Sequence, residues 1–166
     1  MRSPMLLYLV RHGEANNELA DPSQALSQKG VSDVRKLASH LAAIKTSADI
    51  IFHSRKLRAK QTANIIAEFL KPAEGVVETD HLDPLDDPSE WGKILRSGQQ
   101  DIMLVGHLPY IAKLFCLLTC GFIDDGAVTF RNASAACLKR ESDDSWRLQW
   151  MLGPEVVGEI TTHIME

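Results

Sequence analysis

The chain has 166 residues, of which 45% are hydrophobic, and a formal net charge of -4. That length and apolar fraction suffice for one self-contained core, so a single domain over residues 1–166 is expected. The negative balance excludes a global basic field, which removes nucleic acid as an expected partner and makes any functional positive charge local.

Leu6-Leu7-Tyr8-Leu9-Val10 is an unbroken apolar run that reads as a strand buried on both faces, and it stops at Arg11, His12, Gly13 and Glu14. A basic residue beside a histidine at a strand's carboxyl end lies where open α/β sheets bind ligands, and it suits an anion such as phosphate. The run from Met5 to Val10 is too short for a secretory leader and lacks a small-residue cleavage site. No stretch reaches the roughly 20 apolar residues of a membrane helix, so the expectation is a soluble protein with no membrane partner.

Ala15 to Ala25, with Asn16, Asn17, Asp21, Pro22 and Ser23, reads as a loop overhanging that strand end. Ser27 then caps a helix whose stripe is Val31, Val34, Leu37, Ala38 and Leu41. Asp49 to Ser54 is a second buried strand that also ends in polar residues. The helix after it carries Leu57, Thr62, Ile65, Ile66, Phe69 and Leu70 and stops before Pro72. Ser54 or Arg55 is expected at its start, with Arg58 in the first turn, so that an anion there meets free backbone amides, the positive helix end and a full charge. His53 is expected to pack or cap locally, and Arg55 and Lys56 to form a solvated helix entrance.

Val76-Val77 gives a short strand and His81 to Asp87 an acidic loop, after which Pro88 opens a helix through Trp91, Ile94 and Leu95 that Gly98 ends. Asp101 to His107 repeats the opening design of an apolar run closed by glycine and histidine. Pro109 suits the first turn of the next helix, through Ile111, Leu114, Phe115, Leu117 and Leu118, with Gly121 as its stop. Cys116, Cys120 and Cys137 are an odd set with no CxxC pair, which predicts free thiols in a reducing cytosol. Ala127 to Phe130 and Ser134 to Lys139 have strand character. Trp146, Leu148 and Trp150 alternate with polar residues after the turn Ser142 to Ser145, predicting a strand pair near the sheet edge. Arg131-Asn132 either is an exposed connector or approaches the site. The expected fold is therefore α/β, a three-layer α/β/α arrangement with a mostly parallel central sheet and an antiparallel strand pair near its edge.

Arg11-His12-Gly13, Leu26-Ser27-x-x-Gly30, the segment Ser54 to Ala63 and Val105-Gly106-His107 stand in the order of the motifs of the histidine phosphatase superfamily, which the chain resembles over nearly its whole length. Compactness, Leu82-Asp83-Pro84 and the ending Trp150 to Pro154 look most like the small SixA-type phosphohistidine phosphatases. The resemblance implies that His12 becomes phosphorylated, that Arg58 binds phosphate and that His107 contacts the phosphoryl group, with Arg11 beside them. The chain departs from the pattern in having Arg55-Lys56 where the serine is commonly followed by proline. Many members carry a glutamate proton donor near the acidic loop; here Asp83 is the nearest counterpart, and solvated turn chemistry is the plainer reading of it. Glu14 either orients the cationic cluster or serves the strand end.

The expected reaction is double displacement with neutral His12 as nucleophile, its pKa depressed by the two arginines. No metal-ligand set is recognisable and no cofactor is expected. The implied substrate is phosphohistidine on a protein, such as a histidine phosphotransfer domain. A phosphomonoesterase for a small metabolite and a phosphate-binding module without catalysis are the alternatives.

Overall fold

The computed structural model describes residues 4–157. In chain order its elements are β1 (Met5–Arg11), α1 (Gln28–Ala43), β2 (Ile50–His53), α2 (Leu57–Leu70), β3 (Val76–Glu78), α3 (Pro88–Ser97), β4 (Ile102–Gly106), α4 (Tyr110–Cys120), β5 (Ala135–Arg140) and β6 (Trp146–Leu152). The strands form one sheet in the order β3-β2-β4-β1-β5-β6. The β3-β2, β2-β4 and β4-β1 pairs are parallel, while β1-β5 and β5-β6 are antiparallel.

The unbroken apolar run of β1 has a direct explanation in this arrangement. Tyr8 and Val10 face a core shared with Val34, Leu37 and Leu41 of α1 and Ala59, Ala63 and Ile66 of α2. Leu7 and Leu9 face a second core with Trp91 and Leu95 of α3 and Tyr110, Ile111 and Leu114 of α4. Successive side chains of a strand point to opposite faces, so a strand covered on both sides must be apolar at every position. The result is the three-layer α/β/α fold, with the antiparallel pair at one edge.

Four local expectations change. Ala127–Phe130 is irregular: Asp124 Oδ1 accepts from Gly126 N at 2.8 Å, turning the chain just before it, and the Phe130 carbonyl is taken by the Arg11 side chain instead of a strand neighbour. Pro109 precedes α4 as its N-cap, so it lies outside the first turn. Helix α2 starts at Leu57 with Lys56 as N-cap, one residue beyond Arg55, because the Ser54 hydroxyl bonds across to His107. In β6 the alternation breaks at a bulge, since Cys137 pairs with Trp150 but Leu138 pairs with Leu148, which leaves Gln149 as the extra residue.

Among the described residues no helix is long and apolar enough to cross a membrane. Cys116, Cys120 and Cys137 are free thiols.

Candidate active site

Neighbouring strands β1 and β4 lead to helices on opposite faces of the sheet, β1 to α1 and β4 to α4. Connections that depart in opposite directions open a crevice at the strands' carboxyl ends. Arg11 ends β1 with His12 next to it, His107 follows β4, and Ser54 follows β2 on the far side of β4. The backbone locks these ends together: His12 N donates to the Gly106 carbonyl at 3.1 Å and Ser54 N to the Val105 carbonyl at 3.2 Å.

Glycine at position 13 is a packing requirement. A Cβ there would come within 2.7 Å of Val34 Cγ2 and 2.9 Å of the Gly30 carbonyl, and a Cβ on Gly30 would overlap the Glu14 carbonyl. The turn after His12 thus lies directly on the start of α1, and the two glycines of the first two motifs serve one contact. Thr62 secures the turn from α2: its Oγ1 accepts from Gly13 N at 3.1 Å and donates to the Arg58 carbonyl at 2.8 Å.

His12 is buried, and its Nδ1 lies 2.6 Å from the Gly13 carbonyl. A carbonyl only accepts, so Nδ1 carries the proton and Nε2 holds the lone pair. Arg58 Nε donates to that Nε2 at 3.4 Å. The His12 pKa is lowered to about 4, first by burial; the Gly13 carbonyl opposes the shift, and Arg58 and then Arg11 add to it. The two arginines thus depress the pKa as expected, and desolvation of the ring, which the sequence did not show, is the larger effect.

Arg58 Nη1 donates to Gln24 Oε1 at 3.1 Å, and burial lowers the arginine's pKa while the charge of Asp83 opposes this. Gln24 sits in the overhanging loop at φ 47°, within a turn tied around Asp21, whose carboxylate accepts from Asn16 Nδ2, Ser23 and Ala25 N. Arg11 Nη1 donates to the Phe130 carbonyl at 2.8 Å, and its buried Nε makes no hydrogen bond. Helix α1 has its first turn closed by Ser27 Oγ, which accepts from Gly30 N at 3.0 Å, whereas no side chain caps α2. The amides at the start of α2, beside Arg58, are thus placed to receive an anion.

His107 is almost wholly buried, with its ring centroid 4.8 Å from that of His12. Its pKa is lowered to about 3 by burial, then by His12, Arg58, Lys56 and Arg11. Ser54 Oγ lies 2.5 Å from His107 Nε2, while His107 Nδ1 is buried with no hydrogen bond.

The acidic residues separate by role. Glu14 Oε1 accepts from Ser27 Oγ at 2.8 Å and so joins the start of α1. Asp86 accepts from Asp83 N at 2.9 Å and Asp87 caps α3 through Ser89 N. Asp83 Oδ2 accepts from Arg55 Nη2 at 2.7 Å and Nε at 3.2 Å, whereas its Oδ1 is buried without a partner. Arg131 pairs on the surface with Glu155, and the neighbouring Asn132 reaches the site: its Nδ2 donates to the His12 carbonyl at 3.2 Å. His53 packs locally, its Nδ1 2.7 Å from the Ser54 carbonyl.

The structure thus gathers Arg11, His12, Arg58 and His107, places Asp83 beside them through Arg55, and leaves Glu14 on the helix cap. Sequence reasoning missed Gln24 and the tie from Thr62, and of its two readings of Arg131-Asn132 the approach to the site holds for Asn132. Gln24 carries no periodic or charge signal, and Thr62, which stands in the α2 stripe and motif, reads there as a packing position. Among the described residues no group of three or more His, Cys, Asp or Glu is placed to hold a metal ion.

The family model of the histidine phosphatase superfamily (branch 1) matches residues 7–86, which hold Arg11-His12-Gly13, Leu26-Ser27-x-x-Gly30 and the segment Ser54 to Ala63. Over that stretch the chain is similar to this superfamily. Its fold resembles that of the protein histidine phosphatase SixA, solved with tungstate, at a TM-score of 0.81 and 22% identity over 90% of this chain and 97% of that one. An Entamoeba histolytica phosphoserine phosphatase, solved with 3-phosphoglyceric acid, superposes at a TM-score of 0.68 and 17% identity over 89% of this chain and 96% of that one. A mycobacterial glucosyl-3-phosphoglycerate phosphatase does so at 0.68 and 17%, over 89% of this chain and 98% of that one. No curated protein matches the sequence. This histidine phosphatase fold therefore serves relatives with different substrates.

Proposed function

We propose that this protein is a histidine phosphatase that removes phosphate from phosphohistidine on another protein, with His12 as the nucleophile. The observation that carries the reading is the state of His12: its Nδ1–H is fixed on the Gly13 carbonyl, and its Nε2 lone pair faces the cationic cluster of Arg58, Arg11 and the neutral His107. Burial keeps the ring unprotonated at neutral pH, as a nucleophile requires.

In the first step the Nε2 lone pair forms a bond to phosphorus as the substrate's P–N bond breaks. The departing imidazole keeps that electron pair and takes a proton from solvent. Water then attacks the phosphohistidine on His12, the P–Nε2 bond breaks with its electron pair returning to Nε2, and inorganic phosphate leaves. The proton lost by water balances the one taken up in the first step. Arg58, Arg11 and the amides at the start of α2 stabilise the charge on the nonbridging oxygens during both transfers.

An imidazole leaving group is readily protonated on nitrogen, whereas an alkoxide benefits from a positioned acid. Asp83, the counterpart by position of the family's proton donor, is held by Arg55, which favours the phosphohistidine substrate. The fold's likeness to SixA points the same way. A histidine phosphotransfer domain in the cytosol is the partner this reading supplies. A second reading, a phosphomonoesterase for a small metabolite, draws on the buried, unpartnered Oδ1 of Asp83, whose charge also acts on Arg58.

The deciding experiment compares kcat/KM for a phosphohistidine-bearing domain with values for a panel of sugar phosphates, in wild type and Asp83→Asn. Faster turnover of the phosphohistidine domain and little change in Asp83→Asn are expected. Faster turnover of the esters, with a large loss in Asp83→Asn, would replace the first reading by the second. Phosphate binding without turnover of either class would make the protein a binding module.

A further inference from the structure

We propose that Ser54 is a positioning residue that sets the tautomer of His107, placing the proton on Nδ1 so that a neutral N–H donor is offered to the phosphoryl group; the second half of this statement rests on the function proposed above. Ser54 and His107 are 0% and 1% exposed, so neither can turn to water for a partner. Their Oγ and Nε2 atoms are 2.5 Å apart, and one of them must donate.

The surroundings decide which. Lys56 N–H donates to Ser54 Oγ at 3.4 Å and fills one of the hydroxyl's two lone pairs, while His107 Nε2 is the acceptor that the hydrogen bonds among the described residues offer the hydroxyl hydrogen. The Ser54 backbone is held by its own N–H on the Val105 carbonyl and by the His53 ring at its carbonyl, so Oγ stays against the imidazole. With the hydroxyl hydrogen on Nε2, the neutral imidazole carries its proton on Nδ1. That nitrogen is buried and unpartnered. A buried N–H without an acceptor is unfavourable, and a phosphoryl oxygen entering beside His12 would satisfy it.

The opposite tautomer would be harmful. An Nδ1 lone pair would then meet the anionic oxygens, opposing the charge that Arg11 and Arg58 gather. Burial and the surrounding cations keep His107 neutral, so protonation of both nitrogens is not an alternative route to a donor at neutral pH. Ser54 thus acts through His107, across β2 and β4, rather than at the start of α2.

The test is a long-range ¹H–¹⁵N correlation spectrum of the full-length labelled protein, which distinguishes protonated from unprotonated ring nitrogens. Wild-type His107 is expected to carry its proton on Nδ1, and Ser54→Ala to shift it to a mixture or to Nε2. Added inorganic phosphate should move the wild-type Nδ1–H resonance. Turnover in Ser54→Ala should fall by about 10- to 100-fold in kcat, by analogy with removing the hydrogen-bonded partner that orients a metal-binding histidine. An Nε2–H tautomer in wild type, or an unchanged tautomer in Ser54→Ala, would overturn the assignment. If Ser54→Ala does not fold, the wild-type spectrum alone decides between the two tautomers. The spectra need no turnover, so failure to dephosphorylate any substrate would count against the proposed function and leave the tautomer assignment standing.

Discussion

The sheet places a fully buried arginine near the amino end of β1 and a half-buried one at its carboxyl end, and the two are treated in opposite ways. At the amino end, Met5 pairs with Arg140 of β5, which is 1% exposed. Arg140 Nη1 donates to the Leu95 carbonyl at 2.8 Å and the Arg96 carbonyl at 3.3 Å, in the last turn of α3, and the guanidinium lies 5.9 Å from the centre of the Trp146 ring. A cation there meets the negative end of a helix and the electron-rich face of an aromatic ring, so its charge is answered within the fold although its buried Nε and Nη2 make no hydrogen bond. At the carboxyl end Arg11 is gathered with Arg58 and two histidines that burial keeps neutral. Like charges held together at a helix start require an anion from outside. Burial of an arginine is thus no mark of function; the company it keeps is.

Removing the reacting group should break this contrast most sharply. His12→Ala is expected to abolish turnover and labelling by a phosphorylated substrate while the thermal midpoint stays close to wild type, because the ring lies beyond the strand and outside both cores. Acid-labile, base-stable phosphate on any other residue of the wild-type enzyme would refute the assignment. Arg58→Ala should cost on the order of 100- to 1,000-fold in kcat/KM, by analogy with loss of one preorganised transition-state contact. Arg55→Ala and Lys56→Ala should cost much less, and equal losses in all three variants would mean a diffuse basic patch in place of a built site.

The pH dependence tests the same pole. Turnover should be steady through neutral pH and fall as His12 gains a proton near pH 4. The same shift sets a sign for stability. An unfolded histidine binds its proton near 6.5 and folded His12 only near 4, so the unfolded chain holds more protons across that window. The His12 contribution to stability is therefore expected to drop as the pH falls from 6.5 towards 4 and to level off below, while the His107 contribution goes on falling towards pH 3. Denaturant midpoints should show a shallower slope in His12→Asn than in wild type.

At the opposite pole, Arg140→Ala should destabilise the fold by about 2–4 kcal/mol, through lost charge-assisted hydrogen bonds and ring contact, with kcat/KM of the folded enzyme little changed. A urea titration beside an activity assay separates the two effects. Loss of activity without loss of stability would show that the two poles are coupled.

What the sequence determined follows from short-range rules. Apolar runs ending in Arg11-His12 and Gly106-His107 marked strands covered on both faces with polar chemistry at their ends, and Ser27, Pro88 and Gly121 marked helix boundaries where they stand. Hydrophobic period and capping chemistry are local, so they can be read without the fold. Tertiary structure alone decided the partners. Ser54 reads as a helix start because serine commonly caps, yet its hydroxyl is drawn to His107 by a pairing of β2 with β4 that no local pattern encodes. Ala127–Phe130 has the composition of a strand, but its final carbonyl serves Arg11. The largest cause of the His12 shift is desolvation, which depends on everything packed around the ring and on no single residue in the sequence beside it.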